Sequence, residues 1–336
     1  MTDLAGHDGV DPTHTPGTAA HRGSAPTEGG NKLRNAVLTI ARGRRAHLLN
    51  MMQGLRQQTM PPDEMVIAVM GDAPFADLPK MPFPVRQVLV PGDPIPLAAA
   101  RNAAAREAEA ENLLFLDVDL IPSPGFVREC NDALVCWPGL LMGEVMYLPQ
   151  GAADGPWSFE AFDRVAERHS DRQGPPAEGI RPCNDYRCFW SLNFALSRRE
   201  WDRAGGFCEE YVGYGGEDTD FGRVMDEREI PIGWMKGGRA YHQHHPHHMP
   251  PVHHLDHILR NTRIFRSRWG EYTMGHWLHA FELMGLVQKC DEPGSGWRKL
   301  RDPGPAELAL TMQQAHMPYA NSSRVIRRLE RSVAAE

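Results

Sequence analysis

The chain has 336 residues, 41% hydrophobic, 8% aromatic and 24% charged, which supplies enough apolar material for one large or two modest cores and argues against global disorder. Its formal net charge of −7 excludes a nucleic-acid surface held mainly by phosphate neutralisation, and no run approaches the ~18 apolar residues of a spanning helix, so a soluble, cytoplasmic protein is expected. Six cysteines with no CxxC pair read as small buried hydrophobes or idle thiols, and the unusual count is 16 histidines.

Residues 1–32 carry too little apolar surface to offset the entropy of ordering and are expected to form a disordered leader. From Asn35 the texture changes. Ala36 to Ile40 reads as a buried strand, Ala46 to Gln57 as an amphipathic helix with Leu48, Leu49, Met52 and Leu55 at helical spacing, and Pro61–Pro62 as its stop. Further strands are expected at Met65 to Met70, Val85 to Val90 and Leu113 to Leu116, with an Ala-rich helix over Leu97 to Ala110 before the last. Short strands alternating with helices predict an α/β fold, a mostly parallel sheet flanked by helices.

Beyond Pro138 the pattern is mixed. A strand is expected at Leu140 to Leu148, irregular chain from Gly151 to Arg187, a strand at Phe189 to Leu196, a helix at Arg198 to Ala204 and another from about Glu217. Strands at Ile232 to Met235 and Arg239 to Tyr241 follow, and the chain from Trp269 is partly helical in pattern. Three divisions result after the leader: 33–122, 123–265 and a C-terminal extension at 266–336.

Sheets of this kind bind ligands beyond the carboxyl ends of their strands, which draws attention to Arg42, Arg44, Gly71, Asp72, Asp117 and Asp119. In Phe115-Leu-Asp-Val-Asp-Leu-Ile-Pro122, Asp117 and Asp119 share a side if the chain stays extended, and paired oxygen ligands suit Mg²⁺ or Mn²⁺; capping of the next helix is the plainer alternative. Gly213 to Asp220 places Tyr214, a flat face for a sugar or base, and Gly215 and Gly216 ahead of Glu217, Asp218 and Asp220. Capping needs one or two carboxylates, so this acidic helix start behind a glycine-rich, lid-like loop is a candidate site. Eight histidines fall between His242 and His257; His242 and His244 leave a strand, where one neutral imidazole can complete a metal shell, although a nonspecific metal-binding tract is the plainer reading of most.

Taken in order, Ile40-Ala-Arg-Gly-Arg-Arg-Ala-His-Leu48, Ala100-Arg101-Asn102, FLDVDLIP, Gly205-Gly206-Phe207 and GYGGEDTDF resemble the motifs of the inverting GT-A glycosyltransferases of family 2. The likeness is strongest to the branch sharing the C-terminal galactosyltransferase domain of the animal β-1,4-galactosyltransferases, and it spans roughly residues 35 to 265. It implies a GT-A fold, with 33–122 as its nucleotide-binding half and 123–265 as its acceptor and catalytic half, and transfer of a hexose or N-acetylhexosamine from a UDP-sugar to a glycan or small-molecule acceptor, with Mn²⁺ or Mg²⁺. Arg42 and Arg44 would border the nucleotide, Asp72 its base and Asp117 its ribose, with Arg101, Tyr214, Gly215 and Gly216 also on the donor. Asp119 would hold the metal with His242, or His244, and Asp117 beside it; Asp218 would be the base, Glu217 an acceptor contact and Asp220 a support. The family's loop aromatic is usually Trp and here is Tyr214, which bears on acceptor preference. A sugar nucleotidyltransferase and a non-catalytic His-rich metal or nucleotide binder stay open as alternatives.

Overall fold

The computed structural model describes residues 33–290, 296–314 and 316–334; the expected leader lies outside them. The first half contains β1 (Asn35–Ala41), α1 (Arg45–Arg56), β2 (Glu64–Val69), β3 (Val85–Leu89), α2 (Leu97–Glu107), β4 (Asn112–Leu116), β5 (Leu120–Pro122) and α3 (Phe126–Cys136). Next come β6 (Leu140–Met142), β7 (Val145–Tyr147), α4 (Phe159–Val165), β8 (Glu167–Arg168), β9 (Ile180–Cys183), β10 (Asn193–Ser197), α5 (Arg198–Ala204), α6 (Glu217–Glu227), β11 (Ile232–Met235) and β12 (Ala240–His242). The chain continues with α7 (Leu255–Trp269), α8 (Gly275–Leu283), β13 (Val287–Lys289), β14 (Trp297–Lys299), α9 (Pro305–Thr311) and α10 (Ser322–Val333).

The main sheet has eight strands in the order β3-β2-β1-β4-β10-β6-β11-β9. Its first four strands are parallel, β10 runs antiparallel between β4 and β6, and β11 is parallel to β6. Every residue of β1, β2 and β4 is buried, as continuous apolar runs covered on both faces require. Successive residues alternate between two cores. Ala36, Leu38 and Ile40 join the cluster that includes α2, Trp201 and Phe221, while Val37, Leu114 and Leu116 join Leu48, Met52 and Phe126 on the other face. The α/β expectation, with a Rossmann-like half and a mixed remainder, therefore holds.

A second sheet, β5-β12-β7-β8, departs from the sequence reading. The single strand expected over Leu140 to Leu148 is two short strands in different sheets, because the chain crosses over at Gly143. A Cβ there would overlap the Gly238 carbonyl, which accepts a hydrogen bond from Asn193 Nδ2 at 2.6 Å. The supposedly irregular Gly151 to Arg187 segment contains α4, β8 and β9, and α3 and α7 are helices that the sequence reading left unassigned.

Helices α7 and α8 build a third core from Leu255, Ile258, Leu278 and Phe281, closed from outside by Val325, Ile326 and Leu329 of α10. Among the described residues no helix is long and apolar enough to cross a membrane. The tie between this core and α6 is Asp220, fully buried, whose Oδ1 accepts hydrogen bonds from Tyr211 (3.2 Å), Arg268 (2.8 Å) and Trp269 (2.6 Å). Asp220→Ala strands three donors and is expected to cost about 3 kcal/mol in urea unfolding, with Asp220→Asn milder. A loss below about 1 kcal/mol would deny the tie its structural role.

Candidate functional site

Three chain reversals bring the site together at the carboxyl ends of the parallel strands. The residues after β1, β2 and β3 line a cavity of about 450 Å³, among them Arg42, Gly43, Asp72, Phe75 and Asp93. Arg42 and Asp72, two sequence candidates, thus share one depression, whereas Tyr214, Gly215 and Gly216 are not among its lining residues. Gly43 and Arg44 both adopt left-handed backbone, at φ of 62° and 51°, which turns the chain sharply into α1. The Arg44 guanidinium, at the rim of this turn, forms an ion pair with Asp119 Oδ2.

Asp117 and Asp119 do not lie on one extended strand. β4 ends at Leu116, and Leu120 N–H bonds back to the Asp117 carbonyl at 2.9 Å, a tight turn that sends the two carboxylates to different partners. Asp119 faces the second sheet. The β12–β5 register sets His242 opposite Leu120, and Gln243 N–H donates to the Asp119 carbonyl at 2.8 Å, so the imidazole is delivered to the carboxylate by backbone pairing. His242 Nε2 lies 3.8 Å from Asp119 Oδ1, and His245 Nε2 lies 3.3 Å from Oδ2.

Asp119, His242 and His245 therefore offer three ligand atoms within 4.8 Å of one another. His244, the sequence alternative, stands outside this trio near Asp154, and Asp117 is also outside it. His245 was missed because a run of imidazoles carries no periodic signal; only the bend beyond β12 separates its neighbours. A divalent cation fits the trio: Asp119 Oδ1 is buried without a hydrogen-bond partner, and one carboxylate with two imidazoles is a donor set that Mn²⁺ accepts. Burial alone would raise the Asp119 carboxyl, but His242, His245 and Arg44 outweigh it and hold it below the usual carboxylate range. Burial drives His242 down to about 3, leaving the neutral imidazole that a metal requires. Its ring is backed by Tyr147, stacked at 4.7 Å.

Asp117 turns instead toward Arg101 of α2. This guanidinium, 4% exposed, reaches Asp117 Oδ1 at 3.3 Å and Glu217 Oε1 at 3.4 Å and packs over the Phe207 ring at 5.3 Å. Arg101, expected on the donor, is thus occupied in joining the end of β4 to the start of α6. Asp218 also acts on it electrostatically. Burial, opposed by Arg101, pushes Asp117 up to about 6; burial and repulsion from Asp218 push Glu217 up to about 7. Burial raises Asp218 as well, opposed by Arg101 and by its hydrogen bonds with Thr219, whose N–H donates to Asp218 Oδ1 at 2.7 Å.

The glycine-rich loop is hydrogen-bonded and packed against the chain that follows it. Asn261 Nδ2 of α7 donates to the carbonyls of Val212 (3.2 Å) and Gly215 (2.8 Å), and Gly215, at φ 93°, lies so close to Met274 that a Cβ would come within 2.9 Å of its sulfur. Tyr214 stacks on His254 at 4.8 Å and faces Trp277 at 6.0 Å. These partners belong to α7, α8 and the turn before them, so the loop conformation depends on chain that follows it.

Comparison with known proteins adds independent observations. A family model described as the N-terminal domain of galactosyltransferase matches residues 177–248, the stretch holding β9 to β12, the glycine-rich loop and all of Glu217, Asp218, His242 and His245. Validoxylamine A glucosyltransferase of Streptomyces hygroscopicus subsp. jinggangensis (strain 5008) is 28% identical over 162 residues, covering 40% of this chain and 36% of that protein. Chondroitin synthase of Pasteurella multocida (strain Pm70) is 24% identical over 172 residues, covering 45% of this chain and 18% of that one. The chain thus spans about a third or less of the length of these curated relatives. Among solved structures, GalNAc-T7 with UDP, GalNAc and Mn²⁺ aligns with a TM-score of 0.49 at 11% identity, over 78% of this chain and 53% of that one.

The Glu217 carboxyl holds its proton more tightly in the folded chain than in the unfolded one, so its contribution to stability is full below pH ~4.5 and is lost as pH rises through about 7. Glu217→Gln is therefore expected to exceed the wild type in stability at pH 8 by on the order of 1–3 kcal/mol, the gain vanishing toward pH 4. The buried histidines contribute with the opposite sign in both proteins and cancel in the comparison. Parallel melting curves across this range give the difference, and a pH-independent difference would contradict the shift.

Proposed function

We propose that the chain is a metal-dependent glycosyltransferase of the GT-A, family 2 type that moves a hexose or N-acetylhexosamine from a UDP-sugar to an acceptor hydroxyl in one inverting displacement. The observation that carries this reading is the Asp119–His242–His245 trio beside the strand-end cavity, joined through the Asp117–Arg101–Glu217 bridge to the acidic start of α6. The galactosyltransferase family match over residues 177–248, which hold Glu217, Asp218, His242 and His245, supports it, as do partial matches to two sugar-transferring or glycan-synthesising relatives.

In this reading the uridine diphosphate occupies the cavity of Arg42 and Asp72, with its phosphates toward Arg44 and Asp119. A divalent cation held by Asp119, His242 and His245 supplies Lewis-acid neutralisation of the departing diphosphate. Arg42 and Arg44 add positive charge at the same end. Asp218 takes the acceptor hydroxyl proton as that oxygen bonds to the anomeric carbon, while the electron pair of the breaking carbon–oxygen bond leaves with UDP. Its upward shift serves this role, since a carboxylate of raised pKa accepts a proton more readily. Arg101 positions Asp117 and Glu217 without reaching the reacting atoms, Asp117 turning toward the ribose and Glu217 toward the acceptor.

Two expectations test the reading. UDP binding followed by calorimetry strengthens with Mn²⁺, and Asp119→Ala abolishes that enhancement in a folded protein; His245→Ala weakens it more than His244→Ala, and the reverse order would reassign the third ligand. With a nucleotide-sugar panel and a working acceptor, Asp218→Asn lowers kcat by ~10²-fold or more while donor affinity stays within about threefold. Near wild-type turnover in Asp218→Asn would exclude it as the base, because Asn keeps the Oδ1 that accepts from Thr219 N–H and loses only the ability to take a proton.

A further inference from the structure

Tyr147, whose ring backs His242, also lies against Arg172, a residue with no part in the proposed chemistry. All three guanidinium nitrogens of Arg172 are shielded from solvent and lack a hydrogen-bond partner. The guanidinium packs between two indoles, 5.7 Å from the Trp190 ring centroid and 5.1 Å from that of Trp234. Trp234 is itself 1% exposed, and its Nε1 is likewise buried and unpartnered. Arg172 and Trp234 thus bring four buried donor nitrogens to the lining of one space, and the group that acts on the guanidinium there is the neutral Tyr147 hydroxyl, which brings no counter-charge.

The side-chain acceptors around that spot are already engaged. Arg172 and Trp234 line a small space of about 10 Å³ together with Glu144, Arg168, His169 and Gln173. Glu144 gives one oxygen to Arg168 Nε at 2.8 Å and the other to Arg239 Nε at 2.6 Å. Gln173 Oε1 accepts from Arg181 at 2.8 Å, and His169 Nδ1 accepts from Asp171 N–H at 3.1 Å. A buried guanidinium without a counter-charge is costly, and hydrogen-bond donors without acceptors add to that cost.

We infer that Arg172 and Trp234 form a binding site for one small inorganic anion of halide size. The space admits a single atom-sized guest, which leaves no room for phosphate, sulfate or a sugar carboxylate. A water molecule would satisfy the site poorly, because it accepts two hydrogen bonds and must then place two protons of its own among donors. Chloride or bromide accepts from every side and neutralises the guanidinium. The bound ion fixes Arg172 and with it Tyr147, so it steadies the ring behind His242.

The test uses the full chain without metal or nucleotide. Thermal unfolding is followed in sodium chloride, sodium bromide and sodium gluconate at equal ionic strength, the gluconate anion being too large for the cavity. A saturable stabilisation by both halides and none by gluconate is expected, and Arg172→Met weakens the halide midpoint by ~tenfold or more. Trp234→Phe, which removes one donor and keeps the ring packing, weakens it less; crystals of the unmutated chain grown in bromide show an anomalous peak between Arg172 and Trp234. That peak and the Trp234→Phe response carry the test if Arg172→Met does not fold. Equal stability in halide and gluconate, a halide response that survives Arg172→Met, or stabilisation by acetate alone would each overturn the proposal.

Discussion

The structure turns on one buried cation. Arg101 is set in the middle of α2 with almost no solvent, where an unpaired guanidinium would be intolerable, and the fold answers by bringing carboxylates to it from two distant segments. Asp117 arrives from the end of β4 and Glu217 from the first turn of α6. The next residue, Asn102, closes the same junction: its Oδ1 accepts from Phe207 N–H at 2.8 Å, and its Nδ2 donates to the Phe207 carbonyl at 2.9 Å. Two consecutive side chains of one helix thus hold the acidic turn after β4 and the entry to the glycine-rich loop.

The electrostatic consequence is a division of labour among four carboxylates. Asp119, beside Arg44 and two imidazoles, is held ionised and suits a cation. Asp117 and Glu217 share Arg101 and, being buried, keep their protons to unusually high pH, with Asp218 shifted in the same direction beside them. Burial lifts these groups toward neutrality, and for Asp117 and Glu217 the repulsion of a neighbouring carboxylate adds to it. Environments that separate the titration of adjacent acids in this way are what the proposed proton transfer to Asp218 draws on.

The C-terminal residues are part of this arrangement. Asn261 and the Asp220 tie to Arg268 and Trp269 pin the loop before α6 and the helix itself. Farther along, Met249 N–H donates to the Thr311 carbonyl and Gln313 N–H to that of His247, each at 2.9 Å, so backbone pairing orders part of the histidine tract. His248 adds a contact to Thr311 Oγ1 at 3.0 Å. The tract is therefore divided between the trio at Asp119 and a structural stretch held by the chain's own end.

What could be read from the sequence was whatever one segment decides alone. The buried strands announced themselves because a strand covered on both faces must be apolar throughout, and α1 because Leu48, Leu49, Met52 and Leu55 recur at helical spacing. The acidic turn after β4 and the acids opening α6 were legible as candidate sites, since carboxylates at element ends are few and local. Partnership was not legible. Whether His244 or His245 meets Asp119 depends on the β12–β5 register and the bend beyond it, whether Arg101 faces a ligand or two acids depends on how α2 lies across β4 and α6, and the glycine-rich loop is fixed by an amide about 46 residues further along the chain. These are long-range pairings, chosen by the burial of charge and the closure of hydrogen bonds, and only the folded chain makes them.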